Sequence, residues 1–237
     1  MPFDRQRRLV FLHIPKTAGS SVEQALNLFG PWQQENLHTG FGLIQSRDLL
    51  AQNLSSNFLQ HLTLTELEKL FPDVVKDAVL FSVVRDPWRR LLSSFRNPDP
   101  DLVAYYHWRT QGDLHQLSLE QYIDIARWLP HPHLRPQLDT LVSQPGGTQP
   151  DRRIHVFRQE QLQKLEHWLQ QHVDPVIRLG QGNPARRPLP ELPEADVQAL
   201  EQQVRWLYAS DAHAFGYPLT CSSPDEPARL QRMGDGS

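Results

Sequence analysis

The chain has 237 residues, 39% of them hydrophobic and 22% charged, and a net charge of -3. That length buries a sizeable core at the upper end of a single-domain size, while the charge excludes a nucleic-acid binder that works by bulk electrostatics. One cysteine, Cys221, excludes an internal disulfide framework and fits a reducing, cytoplasmic setting, and the apolar run Leu9 to Ile14 is too short for a secretory or membrane-spanning segment.

The run RLVFLHI, residues 8–14, is apolar, branched and without helical period, which predicts a buried strand of a parallel sheet. A turn over Pro15 to Ser21 follows. Val22, Ala25, Leu26 and Phe29 then fall at helical spacing and predict an amphipathic helix closed by Gly30-Pro31. Residues 31–60 carry weak periodicity and receive no element. Thr63 with Glu66 makes a capping-box pattern for a helix over 63–71 that Pro72 stops. AVLFSVV, residues 78–84, predicts a second buried strand. It runs into RDPWRRLLSSF, with Asp86 as N-cap, Pro87 as first helical residue, and Trp88, Leu91, Leu92 and Phe95 as the core stripe.

NPDPD then breaks the chain, and 97–116 receives no element. A helix over 117–129, a proline-rich loop over 130–151 with one short helix, a strand over 153–157 and helices over 159–172 and 194–209 complete the pattern. From Cys221 the tail is polar and is expected to be disordered, leaving 1–220 as one domain. Repeated strand–turn–helix units predict an α/β fold, three-layered around a mostly parallel central sheet. Ligands of such sheets bind at the carboxyl ends of the strands.

Two segments lie at such ends. Unpaired N–H groups and the helix dipole favour an anion at Lys16, Thr17, Ala18, Gly19, Ser20 and Ser21, with hydroxyls and the lysine as further donors. The alternative is a plain Ser20 cap beside a solvated Lys16. The turn resembles a P-loop in job but lacks G-x-x-x-x-G-K-[ST], which weighs against an ordinary ATPase or GTPase. After the second strand, Arg85 precedes the N-cap, and Arg89, Ser93 and Arg96 share one helix flank. Arg85 and Ser93 suit a second phosphate; alternatively Arg85 pairs with Asp86 and Ser93 is a spacer. Two anion sites on adjacent strand ends suggest one ligand with phosphates at both ends.

HIPKTAGSS and VVRDPWRRLLSSF together resemble the paired signature of sulfotransferases that use 3′-phosphoadenosine 5′-phosphosulfate (PAPS), in the group of the heparan sulfate 2-O and chondroitin sulfotransferases and their bacterial relatives. QHLTLTELEKLF, VFRQEQL, GNPARRPL and LYASDAHAFGY resemble further stretches of that family, so the likeness runs from residue 8 to about residue 218. The resemblance implies that Lys16, Thr17, Ala18, Gly19, Ser20 and Ser21 bind the 5′-phosphosulfate and that Arg85 and Ser93 bind the 3′-phosphate. It also implies that Asn183 with Arg186 or Arg187 closes over the nucleotide.

Sulfuryl transfer needs in-line positioning and stabilisation of leaving-group charge, a role that falls to Lys16 without a metal. An acceptor hydroxyl needs a base. His61, two residues before the capping Thr63, would be kept neutral by the helix N-terminus; otherwise it is a surface histidine in a cap. His38 in NLHTGFG is the second candidate. His131 and His133 form an H-x-H too sparse for a metal site, in a loop expected to shape substrate entry. The expected partner is an acceptor with a free hydroxyl, a sugar or small metabolite, and neither nucleic acid nor a membrane. Two rival classes are a P-loop-like kinase and a non-catalytic module that binds PAPS or its product PAP. The second strand ends in Arg85 instead of an acidic residue, which disfavours the kinase.

Overall fold

The computed structural model describes residues 1–180, 187–189 and 191–220. The tail expected to be disordered, from Cys221 onward, lies outside the described residues, as do Asn183 and Arg186.

A sheet of order β1-β2-β3-β4 forms from Phe3–Asp4, Leu9–Leu12, Val79–Val84 and Ile154–Arg158. β2, β3 and β4 run parallel, and the short β1 pairs antiparallel with β2 at the edge. Alternation along the strands feeds two cores. Val10, Leu12, Leu80 and Val84 pack with Leu59, Leu64 and Leu67 on one face. Leu9, Phe11, Phe81 and Val83 pack with Val22, Leu26, Leu165 and Leu169 on the other. Helices therefore cover both faces, as buried parallel strands require.

The longer helices are α1 (Gly19–Leu26), α2 (Leu64–Leu70), α3 (Pro87–Arg96), α4 (Pro100–Thr110), α5 (Leu119–Ile125), α6 (Leu162–His172), α7 (Glu194–Leu207) and α8 (Ala209–Phe215). A third apolar cluster, with Trp88, Leu91 and Phe95 of α3 at its centre, joins α3, α4, α5 and α7. No helix among the described residues is long and apolar enough to cross a membrane.

The caps explain where the expected bounds hold. Thr63 and Glu66 make the full capping box of α2, and Asp86 accepts from the Arg89 N–H ahead of Pro87. Three expectations are corrected. α1 stops at Leu26 because Asn27 adopts a left-handed conformation (φ 57°) whose N–H caps Gln24, so Phe29 lies outside the core, 57% exposed. NPDPD starts a helix instead of breaking the chain: Asp99 caps α4 and Pro100 is its first residue. The stretch expected as one helix over 194–209 divides at Tyr208 into α7 and α8.

Candidate active site

Register sets the site. Leu12 pairs with Ser82, and the Ser82 hydroxyl donates to the Leu12 carbonyl at 2.7 Å, so the turns after β2 and β3 emerge side by side. Arg85 Nη1 donates across them to the Lys16 carbonyl at 3.2 Å. A cavity of about 630 Å³ opens at this edge, with Lys16, Gly19, Ser20, Arg85, Ser93 and His61 in its wall. Arg89 and Arg96 line it too, on the α3 flank that carries Ser93. Trp32 and Phe41 add apolar wall.

The Lys16 turn is built on two left-handed residues, Lys16 (φ 70°) and Ala18 (φ 77°). Left-handed backbone is uncommon outside glycine and clusters at functional turns. Thr17 is fully buried and its hydroxyl donates to the Ile14 carbonyl at 2.8 Å, so it braces the turn from behind and does not line the cavity. Lys16 Nζ donates to the Asn97 carbonyl at 2.6 Å, at the C-terminus of α3. A Cβ on Gly19 would overlap the His13 ring, meeting Nε2 first. Glycine is thus required there for space.

The Arg85 turn is held by residues far along the chain. The Gln137 carboxamide accepts from the Arg85 N–H (2.9 Å) and donates to the Arg85 carbonyl (2.8 Å). Asp211, fully buried, fixes Gln137 by accepting from its backbone N–H and side-chain amide and from the Leu138 N–H. Glu160 accepts from the Asp86 N–H (2.9 Å) and from the Tyr217 hydroxyl (3.0 Å), while Arg205 donates to Asp86 Oδ2 (3.1 Å). Arg85 Nε is buried without a partner. Burial lowers the pKa of Arg85, yet a guanidinium stays protonated.

Histidines line up along one wall. Ring centroids lie 5.0 Å apart for His13–His61, 5.4 Å for His61–His133 and 5.4 Å for His131–His133. Glu23 Oε1 lies 2.6 Å from His13 Nδ1. At the other end, His131 Nε2–H donates to Asp101 at 2.9 Å, because His131 Nδ1 accepts from the His133 N–H. His133 Nε2 stands 3.8 Å from Asp99. His131 and His133 therefore both face carboxylates.

His61 Nδ1 is buried without a partner, so Nε2 is the nitrogen left to meet the cavity. Burial above all, with repulsion from the Arg135 guanidinium added to it, holds the His61 pKa well below the histidine range. Burial and His61 do the same to His133. Arg135 donates to the His61 carbonyl (2.6 Å) and to Ser55 Oγ (2.7 Å). Arg90, buried, donates to the carbonyls of Pro15, Pro132, His133 and Arg135. It ties the Lys16 turn to the histidine loop.

The structure brings Lys16, Ala18, Gly19, Ser20, Ser21, Arg85, Ser93 and His61 to one cavity. His38 sits outside its wall, with its backbone N–H on Asn36. Arg187 also lies apart: its backbone pairs with Arg96, its guanidinium stacks 4.1 Å above Phe95 and donates to the Leu117 carbonyl, and it lines a neighbouring cavity. Residue-level reading of the sequence passed over His13, Glu23, Gln137, Glu160 and Asp211. The signals for the last two were the VFRQEQL and LYASDAHAFGY stretches, whose family likeness carried no assigned role.

Set beside known families, residues 2–140 match the model of the Sulfotransferase family, which is more than half of the chain. The chain belongs to the sulfotransferase family. No curated protein and no solved structure matches it in the comparisons made. The matched span of this sulfotransferase holds β1 to β3, both turns, His61 and Gln137, and ends before β4.

Proposed function

We propose that this sulfotransferase moves a sulfuryl group from PAPS to a hydroxyl of a sugar or small metabolite, with His61 as general base. The observation that carries the reading is that the Lys16 turn, Arg85 and Ser93 border one cavity whose wall also includes His61. The residues suit a ligand with two anionic ends. α1 offers the Gly19 and Ser20 N–H groups with the Ser20 and Ser21 hydroxyls at one place, and at the other Arg85 keeps an unpartnered buried Nε, with Ser93 in the same cavity wall.

When bound, PAPS supplies the sulfuryl group, which passes to the acceptor oxygen as its bond to the bridging oxygen breaks. Lys16, whose Nζ donates to the Asn97 carbonyl, would hold the donor at this turn and offset the negative charge that develops on its leaving group. His61 Nε2, neutral because burial disfavours the imidazolium, takes the hydroxyl proton. Residues 1–220 act as one unit in this reading, since β4, Glu160, Asp211 and Tyr217 complete the sheet and the Arg85 turn. The single cysteine suits a cytoplasmic location.

Thermal melting with PAP, against 5′-AMP and ATP, tests the donor site, because a ligand of the folded state raises stability by mass action. The expected result is a rise with PAP alone that Lys16→Ala or Arg85→Ala removes. No rise with PAP, or a larger one with ATP, would overturn it in favour of a kinase.

A further inference from the structure

His13 is placed by two contacts that the transfer reaction does not explain. Its Nδ1 lies 2.6 Å from Glu23 Oε1, and its ring edge presses on Gly19, the first residue of α1, with Nε2 foremost. His13 is 92% buried by its 8% exposure, Glu23 is also buried, and both border the cavity. A carboxylate behind one ring nitrogen fixes the tautomer and stabilises an imidazolium on the same ring. The other nitrogen, Nε2, is then the ring atom set against Gly19, where α1 begins, and both residues border the cavity.

We propose that His13, backed by Glu23, is a further donor-contacting residue: it takes up a proton from solvent when PAP or PAPS binds and gives the new Nε2–H to the 5′ oxyanion at the start of α1. This rests on the donor site proposed above. The charge balance favours it, since a bound anion replaces solvent beside a ring that already has one carboxylate partner. The groups against His13 are Glu23 from α1 and His61 from the turn before α2, with Lys16, Arg85, Arg89, Arg96, Asp99 and His133 elsewhere in the cavity wall; Phe11 stacks on it without charge. The buried Met1 amine interacts with Glu23 and His61. His61, deprotonated by burial, leaves His13 as the ring of the pair that has a counter-charge.

The experiment is calorimetric titration of PAP into the full chain in two buffers of different ionisation enthalpy, which counts protons taken up on binding. It is run at about pH 7.5, above the ~6 second pKa of a phosphate monoester, so that the ligand itself contributes little. Wild type is expected to take up protons, and its PAP affinity to fall as pH rises, by up to about tenfold per pH unit. His13→Asn is expected to abolish the uptake and weaken PAP by about tenfold or more, the worth of a charge-assisted hydrogen bond. Glu23→Gln keeps the side-chain shape and reduces the uptake; should His13→Asn not fold, this variant decides. Binding without proton uptake in wild type, or uptake unchanged in the folded variants, overturns the role of His13 while leaving the donor site standing. Absence of any PAP binding removes the donor site, and this inference with it.

Discussion

Gln137→Leu tests whether the Arg85 turn is set from a distance. Leucine nearly matches glutamine in volume, so packing changes little while both carboxamide bonds to the Arg85 backbone disappear. The Arg85 N–H and carbonyl lose their partners, and Asp211 loses one of its three donors. Leaving a buried polar group unpaired costs about 1–3 kcal/mol. The turn is part-buried, so the lower half of that range applies, for a total of about 2–4 kcal/mol. In a chain of this length that lowers Tm by about 5–15 °C. The specific expectation lies beyond stability: with Arg85 released, the melting shift given by PAP falls to a small fraction of the wild-type shift. The assay is differential scanning fluorimetry with and without PAP. A Tm within about 2 °C of wild type, or a large Tm loss with the PAP shift intact, would refute the view that Gln137 positions Arg85.

Other perturbations follow from the same geometry. His61 and His133 have folded-state pKa values below the unfolded one, so the unfolded chain binds more protons as pH falls and stability is lost below about pH 6.5. The slope reaches about 1.4 kcal/mol per pH unit for each ring; urea unfolding between about pH 7 and 5 should show it, and His133→Gln should roughly halve it. Gly19→Ala drives a methyl into the His13 ring, which should cost about 1–3 kcal/mol by melting and abolish the PAP shift. Arg90→Met strips donors from the Pro15, Pro132, His133 and Arg135 carbonyls. It should lower stability by about 3 kcal/mol or more, and proteolysis should cut first in the Lys16 turn or the 131–135 loop.

What could be read from the sequence was local. β3 and the Asp86-Pro87 start of α3 are encoded within a dozen residues, by an apolar run, a cap and a proline, and the Arg89–Ser93–Arg96 flank follows from helix geometry. The same Asp-Pro chemistry at Asp99-Pro100 was legible in principle but was read as a break, because another proline stands just before it. Phe29 failed as a core residue because one left-handed Asn27 ended the helix, and periodicity does not report backbone hand. The Gln137, Glu160 and Asp211 fastenings were out of reach. They join positions 52 to 74 residues apart through single side chains. His13 was hidden for another reason: it ends an apolar run, and no spacing rule tells that its ring faces Glu23.

The late partners of the Arg85 turn also bear on the order in which the protein is made. β2, the Lys16 turn and α3 leave the ribosome early, but Glu160, Arg205, Asp211 and Tyr217 are synthesised well over half-way through the chain. During that interval Asp86 lacks Glu160 and Arg205, and the apolar strand β3 before it lacks β4 on its open edge. A nascent chain of this kind holds both turns yet lacks the residues that fasten the second. Asp211, carried on α8, reaches the Gln137 and Leu138 N–H groups only once that last helix has been made.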